Sequence, residues 1–255
     1  MPGISIGTTA VLLNIYDKIL YSVSLVDFKK NLAFLAPLAL GGACGIFSFS
    51  RLMTFLLARY EMAMYFCFIG IIAGCVPMIY RRARYDKIKL RNAAVFAASF
   101  AFMAALAFID KGAIANKTLA QFGGMSLALS TRLFVAALVS TVAMLLPGIS
   151  GSLAMLLFGV YTVAIEAVST FNFTVVAIVC AGALCGGLLG VKLIKTMLRF
   201  HPQALYCSIL GLIIGSIFTI YPGFTADAKG ALSMLFMIAS AGLTFLFSKR
   251  AGQSV

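Results

Sequence analysis

Two short stretches carry the residue types from which an anion site can be built: Pro147-Gly-Ile-Ser-Gly-Ser152, and Pro2-Gly-Ile-Ser-Ile-Gly-Thr-Thr9 at the start of the chain. Proline has no N–H to donate, and glycine reaches backbone geometries closed to other residues. A helix running into Pro147 should therefore stop near Leu146 and restart near Ser150 or Ser152. A fresh helix start leaves N–H groups without partners, and serine is among the residues preferred for capping it. Such a start attracts phosphate or carboxylate. The expected substrate-binding groups are Gly148, Ser150, Gly151 and Ser152 in one copy, and Gly3, Ser5, Gly7 and Thr8 in the other, with Thr9 beside them. The plainer alternative is a kinked helix whose freed groups are satisfied by neighbouring Ser and Thr. Duplication of the motif favours a ligand or ion site.

Arg51 and Lys192 extend that set. Each stands in an apolar run after a glycine-rich half-span, and a cation within a bilayer costs roughly 2.5–3.5 kcal/mol on insertion scales, so both are read as anion contacts. Arg59, Lys195 and Arg199 lie further along the same runs and can snorkel to a headgroup region. Arg132 reads as an interfacial anchor. Of the seven acids, Asp17 and Glu166 belong to the motif helices and are the candidates for coupling to a proton or cation, the alternative being helix-end carboxylates. His201 is the single histidine and stands beside Pro202 in a connector. Cys44, Cys67, Cys75, Cys180, Cys185 and Cys207 form no CxxC pair and no Cys/His cluster. No metal site, cofactor or catalytic set is expected, and the cysteines read as packing residues.

What must position these residues is a membrane-embedded helical frame. With 62% hydrophobic and 11% charged residues, the chain of 255 is too apolar for a soluble domain and holds several runs long enough to cross a bilayer. The runs are continuous and rich in Gly, Ala and Leu, unlike the alternating segments of a β-barrel. The fold class is all-α: a polytopic membrane protein, one transmembrane domain over 1–255, with no cleavable leader. The net charge of +13 fits basic loops kept on the cytoplasmic side, and nucleic acid is not an expected partner. Helical material is expected over 4–24, 32–57, 62–80, 92–109, 132–146, 150–168, 173–198, 204–221 and 231–248.

The frame is written twice. A shift of 145 aligns Pro2, Gly3, Ile4, Ser5, Leu12, Tyr16, Val23 and Ser24 with identical residues from Pro147 to Ser169. A shift of 141 aligns, among others, Gly41, Cys44, Gly45, Tyr65, Gly70, Gly74 and Tyr80 with Gly182, Cys185, Gly186, Tyr206, Gly211, Gly215 and Tyr221. Repeat one is read as 1–109, repeat two as 110–248, and 249–255 as a short cytoplasmic tail. The connector 81–91 holds six basic residues, whereas its counterpart 222–230 holds one, which places the two on opposite faces and makes the repeats inverted. Lys29, Lys30, Lys249 and Arg250 then fall inside and 110–131 outside. The count closes if each Pro-Gly-Ile-Ser element is re-entrant or crosses an even number of times. Inverted repeats with helices broken at matching places are the pattern of secondary transporters, whose binding site lies where the breaks meet near the midplane. Glycines four residues apart let helices approach closely, and packing is their expected role.

Pro147-Gly-Ile-Ser-Gly-Ser152 followed by Phe158-Gly-Val-Tyr161, its partner Pro2-Gly-Ile-Ser5 with Ile15-Tyr-Asp17, and the glycine pairs Gly70/Gly74 and Gly211/Gly215 together resemble the bacterial polyprenyl-phosphate transporter family, the PopT type. The likeness covers essentially the whole chain. It implies a multi-pass protein of the bacterial cytoplasmic membrane that returns undecaprenyl phosphate from the outer to the inner leaflet for cell-envelope synthesis. The family's Pro-Gly-[Ile/Val]-Ser-Gly pattern is intact at 147–151, while Ile6 replaces its second glycine in the first copy. The acid that often follows the motif tyrosine is Asp17 in one copy and Thr162 in the other. The family usually has apolar sequence ahead of the first motif; here an apolar arm, Arg132 to Leu146, precedes only the second, so the expectation is a late start or a first copy lacking that arm. Two alternatives stand beside this reading. A secondary carrier of a small water-soluble anion would need a closed aqueous pocket. A polyprenyl-diphosphate phosphatase would need a positioned acid/base, nucleophile or metal set, which one loop histidine and scattered acids do not supply. The expected partners are the lipid phosphate and the bilayer; the residues do not define an oligomer.

Overall fold

The computed structural model describes residue 10 and residues 15–22, 31–83, 90–108 and 118–251. Among these residues the chain forms helices and no strands. In order they are α1 (Tyr16–Ser22), α2 (Leu32–Arg59), α3 (Glu61–Ala83), α4 (Leu90–Ala107), α5 (Leu127–Leu145), α6 (Gly151–Leu157), α7 (Tyr161–Ser169), α8 (Phe173–Phe200), α9 (Pro202–Ile220) and α10 (Ala228–Ala251), with a short 3-10 turn, Ala120–Phe122, ahead of α5. Six of them, α3, α4, α5, α8, α9 and α10, are long and apolar enough to cross a membrane. The protein is therefore an all-α polytopic membrane protein.

Local chemistry sets the ends. Ser126 caps α5 by accepting from Leu129 N at 3.1 Å, and Asn172 caps α8 by accepting from Val175 N at 3.3 Å. Pro202 opens α9, where its missing N–H costs nothing. Asp227 starts α10: its carboxylate accepts from Gly230 N at 2.9 Å and from the Thr225 hydroxyl at 2.7 Å. The expected spans are matched to within a few residues, with two exceptions. The expected arm 150–168 is two helices, α6 and α7, meeting at 112°. Its elbow is Phe158-Gly-Val160, where Gly159 has φ 66°. The other exception is 4–24, most of which falls outside the described residues.

The helices pair across the chain. α3 packs most extensively on α10, α4 on α9, and α5 on α8, while α3 and α9 meet each other along the centre. Glycine pairs make the closest of these contacts, because a Cβ would collide with facing backbone. Gly70 lies against Met237 and Ser240, and Gly74 against Ala241 and Thr244, so α3 and α10 run parallel. Gly211 lies against Phe96 and Phe100, and Gly215 against Phe100 and Met103, so α9 and α4 also run parallel. The same holds for α8 on α5, where Gly182 meets Phe134 and Gly186 meets Leu138. By contrast, Gly41 and Gly45 of α2 have nothing within 4 Å of the space a side chain would take.

α3 and α9 run antiparallel. At one end Arg82 Nη1 donates to Tyr206 Oη at 3.0 Å, its guanidinium 5.6 Å from the ring centroid. At the other end the start of α3 (Glu61, Tyr65) and the end of α9 (Thr219, Tyr221), with Gly223 and Phe224, line a cleft of about 630 Å³. The first end is basic, carrying Arg81, Arg82 and Arg91. The core between these helices is aliphatic, centred on Ile72, Ile79, Ile209 and Ile213, none of them exposed. Hydroxyl and amide pairs fasten α4 to α9: Ser99 Oγ to Ser208 Oγ at 2.9 Å, and Asn92 Nδ2 to Gln203 Oε1 at 2.6 Å.

Candidate substrate site

α5 ends at Leu145 because Pro147 cannot continue the hydrogen-bond ladder. Leu146 is extended (φ −84°, ψ 125°), and Gly148 takes φ 100°, a left-handed geometry that favours glycine. Gly148 is doubly constrained. A Cβ there would lie 3.0 Å from the Leu212 carbonyl carbon and 3.1 Å from Ile213 N, so the loop is pressed on the backbone of α9 near that helix's midpoint. Ile149 and Leu153 complete the contact by packing with Met103, Leu106 and Leu212.

The chain then doubles back. Ser140 Oγ donates to Gly151 O at 2.6 Å and Arg132 Nε donates to Phe158 O at 2.7 Å, so α6 returns antiparallel to α5 as a re-entrant hairpin. The Arg132 guanidinium also stands 5.9 Å from the Phe122 ring centroid and holds the elbow into α7. Helix restart at Ser150–Gly151 matches the sequence expectation. Ser150 occupies the N-cap position with extended geometry, yet its side chain makes no capping bond; its hydroxyl pairs with that of Ser152 at 2.8 Å. Gly151 and Ser152 are among the first residues of the helix, whose N–H groups have no partner within it. α6 is seven residues long and bends at once into α7, so the aligned dipoles at this start are those of two turns. What this start offers chemically is N–H and hydroxyl donors rather than a long-helix dipole.

α1 is tied to the end of α5 by a bond that the sequence reading missed. Tyr16, buried at the start of α1, donates its hydroxyl to Leu145 O at 2.9 Å, satisfying one of the carbonyls that the end of α5 leaves open. Its signal was the tyrosine shared by the two copies; its acceptor, a main-chain oxygen, has none. Gly3, Ser5, Gly7 and Thr8 lie outside the described residues, as do the side chains of Asp17 and Arg51.

Lys192 stands two residues past Gly190, which lies against Leu145 and Val142, so it is at the depth of the break. It is not turned toward it. At 100° per residue Lys192 projects roughly 120° away from the glycine face that receives α5, and it is exposed. Glu166 is placed elsewhere: its carboxylate accepts from Leu119 N at 3.2 Å and fastens the 3-10 turn at the end opposite Arg82. Among the described residues no three His, Cys, Asp or Glu side chains form a group that could hold a metal.

Comparison with known proteins follows the same lines. A family model described as undecaprenyl phosphate translocase-like matches residues 1–234. The polyprenyl-phosphate transporter of Staphylococcus aureus is 32% identical over 233 residues, covering 88% of this chain and 81% of that protein. The polyprenyl-phosphate transporter of Vibrio cholerae is 26% identical over 239 residues, covering 87% of this chain and 73% of that protein. No solved structure matches. A helical membrane chain whose re-entrant hairpin carries the Pro-Gly-Ile-Ser-Gly motif, and which that model matches over nearly its full length, belongs to the undecaprenyl phosphate translocase-like family.

Proposed function

We propose that the protein is a transporter, not an enzyme, that moves undecaprenyl phosphate from the outer to the inner leaflet of the bacterial cytoplasmic membrane. The observation that carries this reading is the hairpin break at Pro147–Ser152, pressed on the middle of α9 in a chain whose named relatives are polyprenyl-phosphate transporters. In this reading the phosphate is received by the amides and hydroxyls of Ser150, Gly151 and Ser152, with Gly148 shaping the loop. Gly3, Ser5, Gly7 and Thr8 supply the matching element, Arg51 adds charge, Lys192 offers its charge on the exposed side of α8 at the same depth, and the polyprenyl tail stays in lipid. Asp17 or Glu166 couples the movement to a proton or cation.

The halves act as inverted repeats. Supporting this, α3 and α9, equated by the 141-residue shift, run antiparallel, and the repeated glycine pairs do the same work in each: Gly70/Gly74 seat α3 on α10, and Gly211/Gly215 seat α9 on α4. The basic end then faces the cytoplasm.

The test is leaflet exchange of labelled undecaprenyl phosphate in proteoliposomes. Wild-type protein should accelerate exchange over protein-free vesicles, and Ser150→Ala with Ser152→Ala should slow it by roughly tenfold, as expected for losing hydrogen bonds to a charged group. Exchange no faster than in empty vesicles would sink the proposal. Release of inorganic phosphate from polyprenyl diphosphate would instead make the protein a phosphatase.

A further inference from the structure

One face of α8 remains uncovered along most of its length, and its residues change character along the way. Ala177, Ala181, Leu184, Leu188, Lys192, Lys195 and Arg199 succeed one another at spacings of three or four, which places them in a single stripe. All are exposed except Lys195, which is half-buried. The first four are apolar, with Leu184 70% and Leu188 50% exposed; the last three are cationic and descend to the basic end of the bundle.

Snorkelling by itself does not account for this arrangement. It requires only that a long side chain reach an interface, and any exposed position at the right depth would serve. α8 has a second exposed flank at the same depth, Leu189, Leu193, Thr196 and Phe200, and it carries no charge. The cations are gathered on one side. On α2, the shift of 141 places Thr54 and Ala58 where α8 has Lys195 and Arg199, so the ladder is not a requirement of the repeated helix itself.

We infer that this stripe is the lateral docking track for the lipid substrate at the basic end: Leu184 and Leu188 lie along the apolar tail, and Lys192 and Arg199 hold its phosphate between the depth of the break and the interface. Charge complementarity selects the occupant. A phosphate monoester on one polyprenyl chain presents a single compact dianionic head, which matches cations stacked at one end of an apolar stripe; a diester lipid brings two chains and a single charge. The inference rests on the lipid-phosphate reading above and assigns Arg199, Leu184 and Leu188 to it.

The experiment uses the full chain in nanodiscs, titrated with undecaprenyl phosphate, with phosphatidylglycerol and with inorganic phosphate, and compares two pairs of equal charge loss at the basic end. Lys192→Gln with Arg199→Gln should weaken undecaprenyl phosphate binding by roughly tenfold or more, Lys192→Arg with Arg199→Lys should retain it, and Arg81→Gln with Arg91→Gln should leave it within about twofold. Inorganic phosphate should not compete at equal concentration. Equal losses in the two Gln pairs, or no loss in either, would overturn the track while leaving the transport reading in place. A wild-type protein that binds phosphatidylglycerol as tightly, with the same dependence on Lys192 and Arg199, would show a general anionic-lipid surface and also overturn it. Failure of the wild type to bind undecaprenyl phosphate at all would remove the transport reading together with the track.

Discussion

Tyr16 and Gly148 both hold the break, one by a donated hydroxyl and the other by a backbone geometry that a side chain resists. Tyr16→Phe should lower stability by about 1 kcal/mol through loss of one buried bond, read as a reduced Tm in detergent. Gly148→Ala should cost roughly 1–3 kcal/mol in backbone strain and additionally push the loop off α9, read as a lower folded yield as well as a lower Tm. Away from the membrane, the Thr225 hydroxyl and then the Gly230 N–H hold the Asp227 carboxyl below its usual range. A depressed folded-state value means that this contribution is full above the ordinary carboxylate range and is lost as pH falls through the folded value. Mild acidification should therefore leave the start of α10 protected, whereas Asp227→Asn should raise hydrogen exchange at Gly230 at neutral pH, where the carboxylate is ionised. The Pro-Gly break was legible because proline and glycine act on their own backbone. The Tyr16 bond was not, since its partners are 129 residues apart and the acceptor is an atom that every residue has.

At the scale of helices, the repeated glycines make a comparison within one molecule. Gly182 and Gly186 are pressed on α5, while their counterparts Gly41 and Gly45 face open space. Gly182→Ala with Gly186→Ala should lower stability by about 1–3 kcal/mol per site through overpacking, and Gly41→Ala with Gly45→Ala should leave the Tm unchanged or raise it slightly, since alanine is the better helix former. Unfolding of both double variants in the same detergent checks this. Periodicity and length gave most of the spans, because each must be apolar for some twenty residues. They did not give the elbow at Phe158-Gly-Val160. Gly159 lies between two apolar stretches that together have the length of one span, and the turn there is seen only in the fold, in the 112° angle and the contact of Arg132 with Phe158 O. Nor could composition tell that Lys192 faces away from the break, since depth follows from counting residues whereas facing depends on which neighbour the glycines receive.

For the molecule as a whole, the pairing of α3 with α10 and of α4 with α9 interleaves the two halves. Residues 1–109 produced alone should fail to accumulate, and co-production with residues 110–255 should restore a detergent-stable complex. Recovery of a folded half by itself, seen as a monodisperse helical species, would contradict the packing described above. The interleaving also limits how the protein can move: α3, α4, α9 and α10 are bound by close backbone contacts, so relative motion is easiest between that block and the α5–α8 arm, which meets it mainly at Gly148 and along α9.

A last consequence concerns biogenesis. Because α3 takes as its neighbour a helix that lies far later in the chain, its glycine face must wait in the bilayer while the intervening helices are synthesised. During that interval Gly70 and Gly74 form a bare groove that any passing helix could occupy. An insertase or chaperone that shields it until α10 arrives would raise the yield of correctly assembled protein without touching the finished fold.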